Sequence, residues 1–358
     1  MNKKVLIICT SLNMGGTEKQ AVWLANKLSD ENYKVFFVSL KDAGILSQYL
    51  NSNIITKNFK LADAKNTITK VFHFIIGLLQ LIKLVNKYKI TKTITFLFHS
   101  NLVGKFLKIF SIYDNSHIVA FRSDRLSKRD SKVNRLRTFL FKNFILDKKT
   151  TVVYNSNSGF KKLNLKSVNQ KIIYNHPLNK SQSKNYHANK FIYIGRLDEL
   201  KNVQNIVLGF KNIKESNVSL DIYGKGPDLP YIQKMIDEHS LEKTITLKGI
   251  NPSISDNLSK FDALILGSTH EAFPNVLIEA FNAGVIPIST NVGDASWLIG
   301  KNRGLLIQGF TSDKISKSIL EFLDLNIELR KLHIANGKKF LEENLSETKT
   351  FKQWLELI

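Results

Sequence analysis

The chain is 358 residues long, 43% hydrophobic and 23% charged, with 18 glycines, 6 prolines and one cysteine, Cys9. That length suggests two domains of about 150–200 residues each. The composition excludes a collagenous or disordered chain, and a lone cysteine excludes a disulfide framework or a cysteine-based metal cluster.

The formal net charge of +22 lies entirely in the first half. Residues 1–180 hold 31 lysines and arginines against 9 aspartates and glutamates, whereas residues 181–358 hold 21 of each. Charge so placed predicts an anionic partner for the first half (nucleic acid, a membrane surface or a phosphorylated substrate) or a solvated lysine-rich surface. The apolar run after Met1-Asn2-Lys3-Lys4 lasts five residues and lacks a cleavage pattern, so no signal peptide is expected. The longest apolar stretch, Val71 to Val85, is broken by His73, Gln80 and Lys83 and is shorter than the roughly 20 residues of a membrane span. A soluble cytoplasmic protein is therefore expected.

In chain order, Lys4–Thr10 reads as a buried strand containing Cys9, and a glycine turn follows it. Next comes a helix in which Ala21, Val22, Leu24, Ala25 and Leu28 recur near the 3.6-residue period. A strand at Lys34–Leu40 completes a βαβ unit, which requires parallel strands. Further strands are predicted at Thr93–Phe98, His117–Phe121 and Thr151–Tyr154, with helices at Thr69–Tyr88 and Leu102–Ile112. The polar stretch from Lys180 to Asn189 has no apolar period and reads as a linker.

After it the alternation restarts. Strands are expected at Phe191–Ile194, Ser219–Tyr223, Thr244–Lys248, Ala263–Leu266, Ile286–Ser289 and Gly304–Ile307. Helices are expected at Val203–Ile213, Leu229–His239 and Asn275–Ala283, and Ser312–Ile358 reads as helical. The architecture is α/β: a first domain over 1–178, a linker over 179–190 and a second domain over 191–339.

Three loops carry chemistry. Met14-Gly15-Gly16-Thr17-Glu18 joins the first strand to its helix, where paired glycines admit a close ligand and helix N–H groups favour negative charge. It is neither the G-x-G-x-x-G dinucleotide fingerprint nor a Walker loop. The strand Phe191–Ile194 ends in Gly195-Arg196-Leu197-Asp198-Glu199-Leu200-Lys201. A guanidinium and an ammonium beyond the carboxyl end of a strand suit a diphosphate, although Arg196 also has Asp198 and Glu199 as salt-bridge partners. Tyr223-Gly224-Lys225-Gly226-Pro227 offers a glycine loop able to lie against a flat ring. In Thr269–Ala280, the loop Ala272–Asn275 opens a helix with backbone N–H groups (Pro274 excepted), between the acceptor carboxylates of Glu271 and Glu279. The apolar neighbours Leu277, Ile278, Ala280 and Phe281 are unusual for an idle glutamate.

Together these phrases resemble the retaining, nucleotide-sugar-dependent glycosyltransferases of family 4, which have the GT-B fold. The resemblance covers most of the chain and includes the E-x7-E phrase from Glu271 to Glu279. It implies two Rossmann-like domains whose parallel sheets face each other across a cleft, with a C-terminal segment of about 340–358 that crosses back onto the first domain. It further implies that Arg196 and Lys201 bind the donor diphosphate, that Glu271 contacts the transferred sugar and that Glu279 holds ribose hydroxyls. Gly195, Gly224, Gly226, Phe273, Pro274, Asn275 and Val276 would line the donor site. Gly15 and Gly16 would approach the diphosphate, and His99 would face the reacting sugar, unless it only satisfies local backbone. Asn175-His176 departs from the family's usual Asn-Gly.

The chain has no Asp-x-Asp pair and no histidine–cysteine cluster, so metal-independent transfer without a cofactor is expected. Basic residues at 122–149 interleave with Phe139, Leu140, Phe141, Phe144 and Ile145. With the 69–88 helix they suit an anionic membrane surface and a lipid-diphosphate-linked glycan or polysaccharide acceptor at the inner face of the cell membrane. UDP and a hexose or N-acetylhexosamine are the expected donor components. Nucleotide-sugar epimerases and phosphorylases share the fold, and a non-catalytic basic binding protein is the other alternative. Nothing resembles a helix-turn-helix or RNA-binding signature, so nucleic acid is not an expected partner.

Overall fold

Continuous runs of β-branched and aromatic side chains, such as Val5-Leu6-Ile7-Ile8 and Val35-Phe36-Phe37-Val38, have no polar face to give to water and form strands buried on both sides. A computed structural model describes residues 3–41, 43–59, 67–122, 132–163, 165, 168–180, 189–213 and 217–358. Most of the expected linker and residues 123–131 of the basic segment lie outside the described residues.

The chain divides into two compact units, Met1–Asn175 with Thr350–Ile358, and His176–Lys349. In the first, seven strands are β1 (Lys4–Cys9), β2 (Lys34–Ser39), β3 (Ile55–Asn58), β4 (Lys92–Phe96), β5 (Ser116–Phe121), β6 (Thr151–Tyr154) and β7 (Asn169–Ile172). All pair in parallel, in the order β3-β2-β1-β4-β5-β6-β7. Their helices are α1 (Gly16–Asp30), α2 (Thr67–Tyr88), α3 (Phe98–Phe110), α4 (Lys132–Leu140) and α5 (Asn157–Leu163). One sheet face is covered by α1, the other by α2 and α3.

The second unit has six strands, β8 (Lys190–Ile194), β9 (Ser219–Tyr223), β10 (Ile245–Gly249), β11 (Ala263–Leu266), β12 (Ile286–Thr290) and β13 (Leu305–Ile307). They too are parallel, ordered β10-β9-β8-β11-β12-β13. Around them lie α6 (Val203–Lys211), α7 (Leu229–Glu238), α8 (Asn275–Ala283), α9 (Ala295–Ile299), α10 (Ser312–Leu323) and α11 (Ile327–Asn344). The last helix, α12 (Glu347–Leu355), places Trp354 in the core of the first unit.

Three departures from the sequence reading have physical reasons. The strands β3 and β7 went unread because edge strands, exposed along one side, lack an apolar run. The strand read as Thr93–Phe98 stops at Phe96, because Leu97 has φ 72° and turns the chain directly into α3. The returning segment is shorter than 340–358: α11 belongs to the second unit, where Phe340 meets Trp297 edge-on at 5.1 Å.

Candidate active site

In an open parallel sheet, ligands bind beyond the carboxyl ends of the strands where the strand order reverses. Both units have such a point. In the second it falls between β8 and β11, because β9 and β10 extend one way and β12 and β13 the other. The loops leaving β8 and β11 are those that carry Arg196, Lys201 and Glu271.

The β8 loop passes through Gly195 and Arg196 into a 3-10 turn, Glu199–Lys201, before α6. The β11 loop runs to Pro274, which caps α8. They are laced together: the Thr269 N–H donates to the Leu200 carbonyl at 2.9 Å, and the Asn202 amide to the Gly267 carbonyl at 3.0 Å. This lacing brings Lys201 and Glu271 into an ion pair, with side chains 23% and 16% exposed. The Ser268 hydroxyl donates to the same Glu271 oxygen at 3.0 Å. An ammonium and a carboxylate thus stand at the switch point, partly withdrawn from water.

Arg196 is not drawn into that pair. Its side chain is 61% exposed, with Nε 3.3 Å from Asp198. The Arg196 carbonyl accepts from the Tyr193 hydroxyl at 2.8 Å. Burial, then the negative charges of Glu271 and Asp198, push the Tyr193 phenol well above its ordinary pKa, so it stays a proton donor to that loop.

Phe273 and Pro274 are buried under the start of α8, while Asn275 and Val276 are half-buried in its first turn. There backbone N–H groups collect at the positive end of the helix dipole. Glu279, one turn on, is buried, and its Oε2 accepts from the Ser255 hydroxyl at 2.8 Å. The Asn179 amide braces this contact by donating to the Glu279 and Ser255 carbonyls at 3.0 and 3.2 Å. Glu271 thus meets a cation as well as a hydroxyl, and Glu279 the Ser255 hydroxyl.

Gly224 and Gly226 meet a demand internal to the protein. The β9 loop lies backbone to backbone on the β8 loop, with Gly195 N–H donating to Tyr223 and Leu197 N–H to Lys225, both at 3.0 Å. A Cβ on Gly224 would stand 1.8 Å from the Gly195 carbonyl oxygen, and one on Gly226 2.0 Å from that of Leu197. The glycines therefore let two strand-end loops touch.

In the first unit the order reverses between β1 and β4, so the Gly15–Gly16 turn and His99 both lie at its switch point. Thr10 and Ser100 hydroxyls, 3.3 Å apart, join the two loops. Gly15 caps α1 in extended conformation and Gly16 opens the helix, exposed. The Glu18 carboxylate folds back so closely that a Cβ on Gly15 would stand 2.2 Å from its Oε2, and burial raises its pKa. His99 is reached by solvent in the first turn of α3. Its crowded ring, then the positive charges of Arg137 and Lys41, lower its pKa.

Ser255, Ser268, Asn179 and Asn202 gave no signal in the sequence, because isolated polar residues in loops have no period. A cavity of about 470 Å³ lies elsewhere, lined by Gln308, Lys314, Lys317 and His333 among others and by none of these site residues.

The two parallel-sheet α/β units have the GT-B fold. The family described as "Glycosyl transferases group 1" matches residues 177–340. Among curated proteins, the capsular polysaccharide biosynthesis glycosyltransferase CapH of Staphylococcus aureus is 30% identical over 306 residues, 82% of each chain. The chain therefore belongs to the group 1 glycosyltransferase family. An uncharacterised glycosyltransferase of Methanocaldococcus jannaschii is 24% identical over 227 residues, and there the match spans 61% of this chain but 55% of the relative. Among solved structures, Anabaena HepE in complex with UDP and glucose superposes with a TM-score of 0.82 over 99% of both chains at 16% identity, a likeness of fold.

Proposed function

We propose that this enzyme transfers a hexose or N-acetylhexosamine from a UDP-sugar, with retention of configuration, to a lipid-diphosphate-linked glycan or polysaccharide acceptor at the cytoplasmic membrane face. The observation that carries the reading is the Lys201–Glu271 pair beside the first turn of α8, at the carboxyl ends of β8 and β11. As the glycosidic bond breaks, negative charge grows on the leaving diphosphate. Lys201, Arg196 and the α8 N–H groups supply positive charge there without a metal. Glu271 holds Lys201 oriented until the donor arrives, then turns to the sugar hydroxyls. Glu279, held by Ser255, accepts from the ribose hydroxyls. CapH and the UDP-bound HepE support the acceptor class and the donor nucleotide respectively.

Bound UDP should raise the melting temperature by mass action. Arg196→Ala should lower turnover by about 10²–10³-fold, the range seen when one transition-state donor is removed. A wild-type rate in that variant, or no thermal shift with any nucleoside diphosphate, overturns the assignment. Turnover should also survive dialysis against EDTA; its loss, restored by a divalent cation, would overturn the metal-independent reading.

A further inference from the structure

The helix α2 has two apolar faces, one more than a helix covering a sheet in water requires. Its inner face, including Leu81, Leu84 and Val85, packs on Leu6, Ile8, Phe36 and Val38 of the sheet. The opposite stripe, Phe72, Ile75, Ile76 and Leu79, is exposed, Phe72 by 62% and Leu79 by 60%. At the same helical spacing the stripe continues into exposed Lys83 and Lys87.

Neighbours in the same helix layer repeat the pattern. Phe106 of α3 bridges Phe74 of α2, at 6.5 Å between ring centres, and Phe144, at 5.7 Å. Ile109 and Phe110 of α3 and Leu136 and Phe139 of α4 are exposed. Exposed apolar surface of this extent on one layer marks an interaction site.

Charge selects the partner. Between Asp63 and Asp114 the sequence has no acidic residue and eight lysines. A second copy of the chain docked face to face would set the exposed Lys83 and Lys87 against their own kind, whereas an anionic bilayer complements them. Val71–Tyr88, with mean hydropathy 1.3 and only 22% buried, is by length and composition able to cross a membrane, contrary to the count that His73, Gln80 and Lys83 interrupt. Crossing would strip its inner face from the core of the first unit; lying flat leaves that core intact.

We propose that α2 docks in the plane of an anionic bilayer, with Phe72, Ile75, Ile76 and Leu79 inserted at the acyl boundary and Lys83 and Lys87 at the headgroups. The inference deepens the lipid-linked acceptor reading, yet its test needs no sugar, so the two fail separately. The full chain should sediment with phosphatidylcholine vesicles containing phosphatidylglycerol and far less with phosphatidylcholine alone. The F72D/I76D/L79D variant should bind at least about tenfold more weakly while keeping the UDP thermal shift. Because that variant is open to misfolding, Leu79→Cys bearing an environment-sensitive fluorophore provides a second reading. Cys9 is buried, so the label is selective, and emission should shift to the blue on anionic vesicles. Equal sedimentation with both vesicle types, full binding by the folded triple variant, or an unshifted label overturns the proposal. So does a wild-type dimer that the triple variant dissociates, since the face then belongs to a second copy.

Discussion

At the scale of single residues, the proposed donor site holds Lys201 and Arg196 in ion pairs. Lys201 rests on Glu271 and Arg196 on Asp198, so neither cation waits bare in the absence of phosphate. Glu279 differs: it is buried with a neutral donor, the Ser255 hydroxyl at 2.8 Å, fixing the carboxylate's direction. On the proposed reading, Ser255 positions that carboxylate for the ribose hydroxyls. Ser255→Ala should raise the KM for the donor by about tenfold, the order expected for a lost hydrogen bond to a charged group, and leave kcat near the wild-type value. Steady-state kinetics with Ser255→Thr as the rescuing variant checks this; a fall in kcat at constant KM would place Ser255 in another role.

At the scale of elements, α3 shows how a helix is seated on a sheet by one absent side chain. A Cβ on Gly104 would stand 2.3 Å from Nε2 of His117 on β5. That imidazole is buried, with its Nε2 2.8 Å from the Thr95 hydroxyl of β4, which also donates to Asn101 of α3 at 2.8 Å. Burial, then Lys108 and, more weakly, Lys105, push the His117 pKa down from 6.5 to about 3, with Asp147 opposing them. The unfolded imidazole therefore binds a proton between about pH 6.5 and 3 while the folded one does not, and stability falls as pH drops through that window. At pH 5 the loss amounts to about 2 kcal/mol. Urea melts at pH 7 and 5 should show a loss larger by about that amount in the wild type than in His117→Gln; an equal loss in both would assign the acid sensitivity elsewhere.

At the scale of the whole molecule, the chain completes its first unit with its last residues. Trp354 of α12 lies in that unit's core, 2% exposed, with its ring centre 6.4 Å from that of Phe96. The Arg122 guanidinium stands 5.6 Å from both rings and donates to Asn175 at 2.9 Å. Burial lowers its pKa to about 9, still above neutral, so the group stays a cation against two aromatic faces and an amide oxygen. Residue 175 ends the first pass of the chain through this unit and Thr350 begins the second, so Arg122 ties both to the sheet. Trp354→Ala should cost the first unit about 3–5 kcal/mol. Hydrogen exchange should then quicken in β1 and β4 and stay unchanged in β8 and β11; faster exchange in both sets would mean the units unfold as one.

The α/β class, the strand–helix alternation and the loops carrying Arg196, Lys201, Glu271 and Glu279 were legible in the amino-acid order. Buried parallel strands need unbroken apolar runs and helices need a 3.6-residue period, and both are local patterns. The tertiary structure decided which charges meet. Lys201 reaches Glu271, 70 residues away, only because β8 and β11 are neighbours at the reversal of strand order. It also decided that Gly224 and Gly226 serve loop-to-loop contact and that α2 leaves a second apolar face uncovered. Each of these depends on what lies opposite a residue in space, and periodicity along a chain carries no information about that.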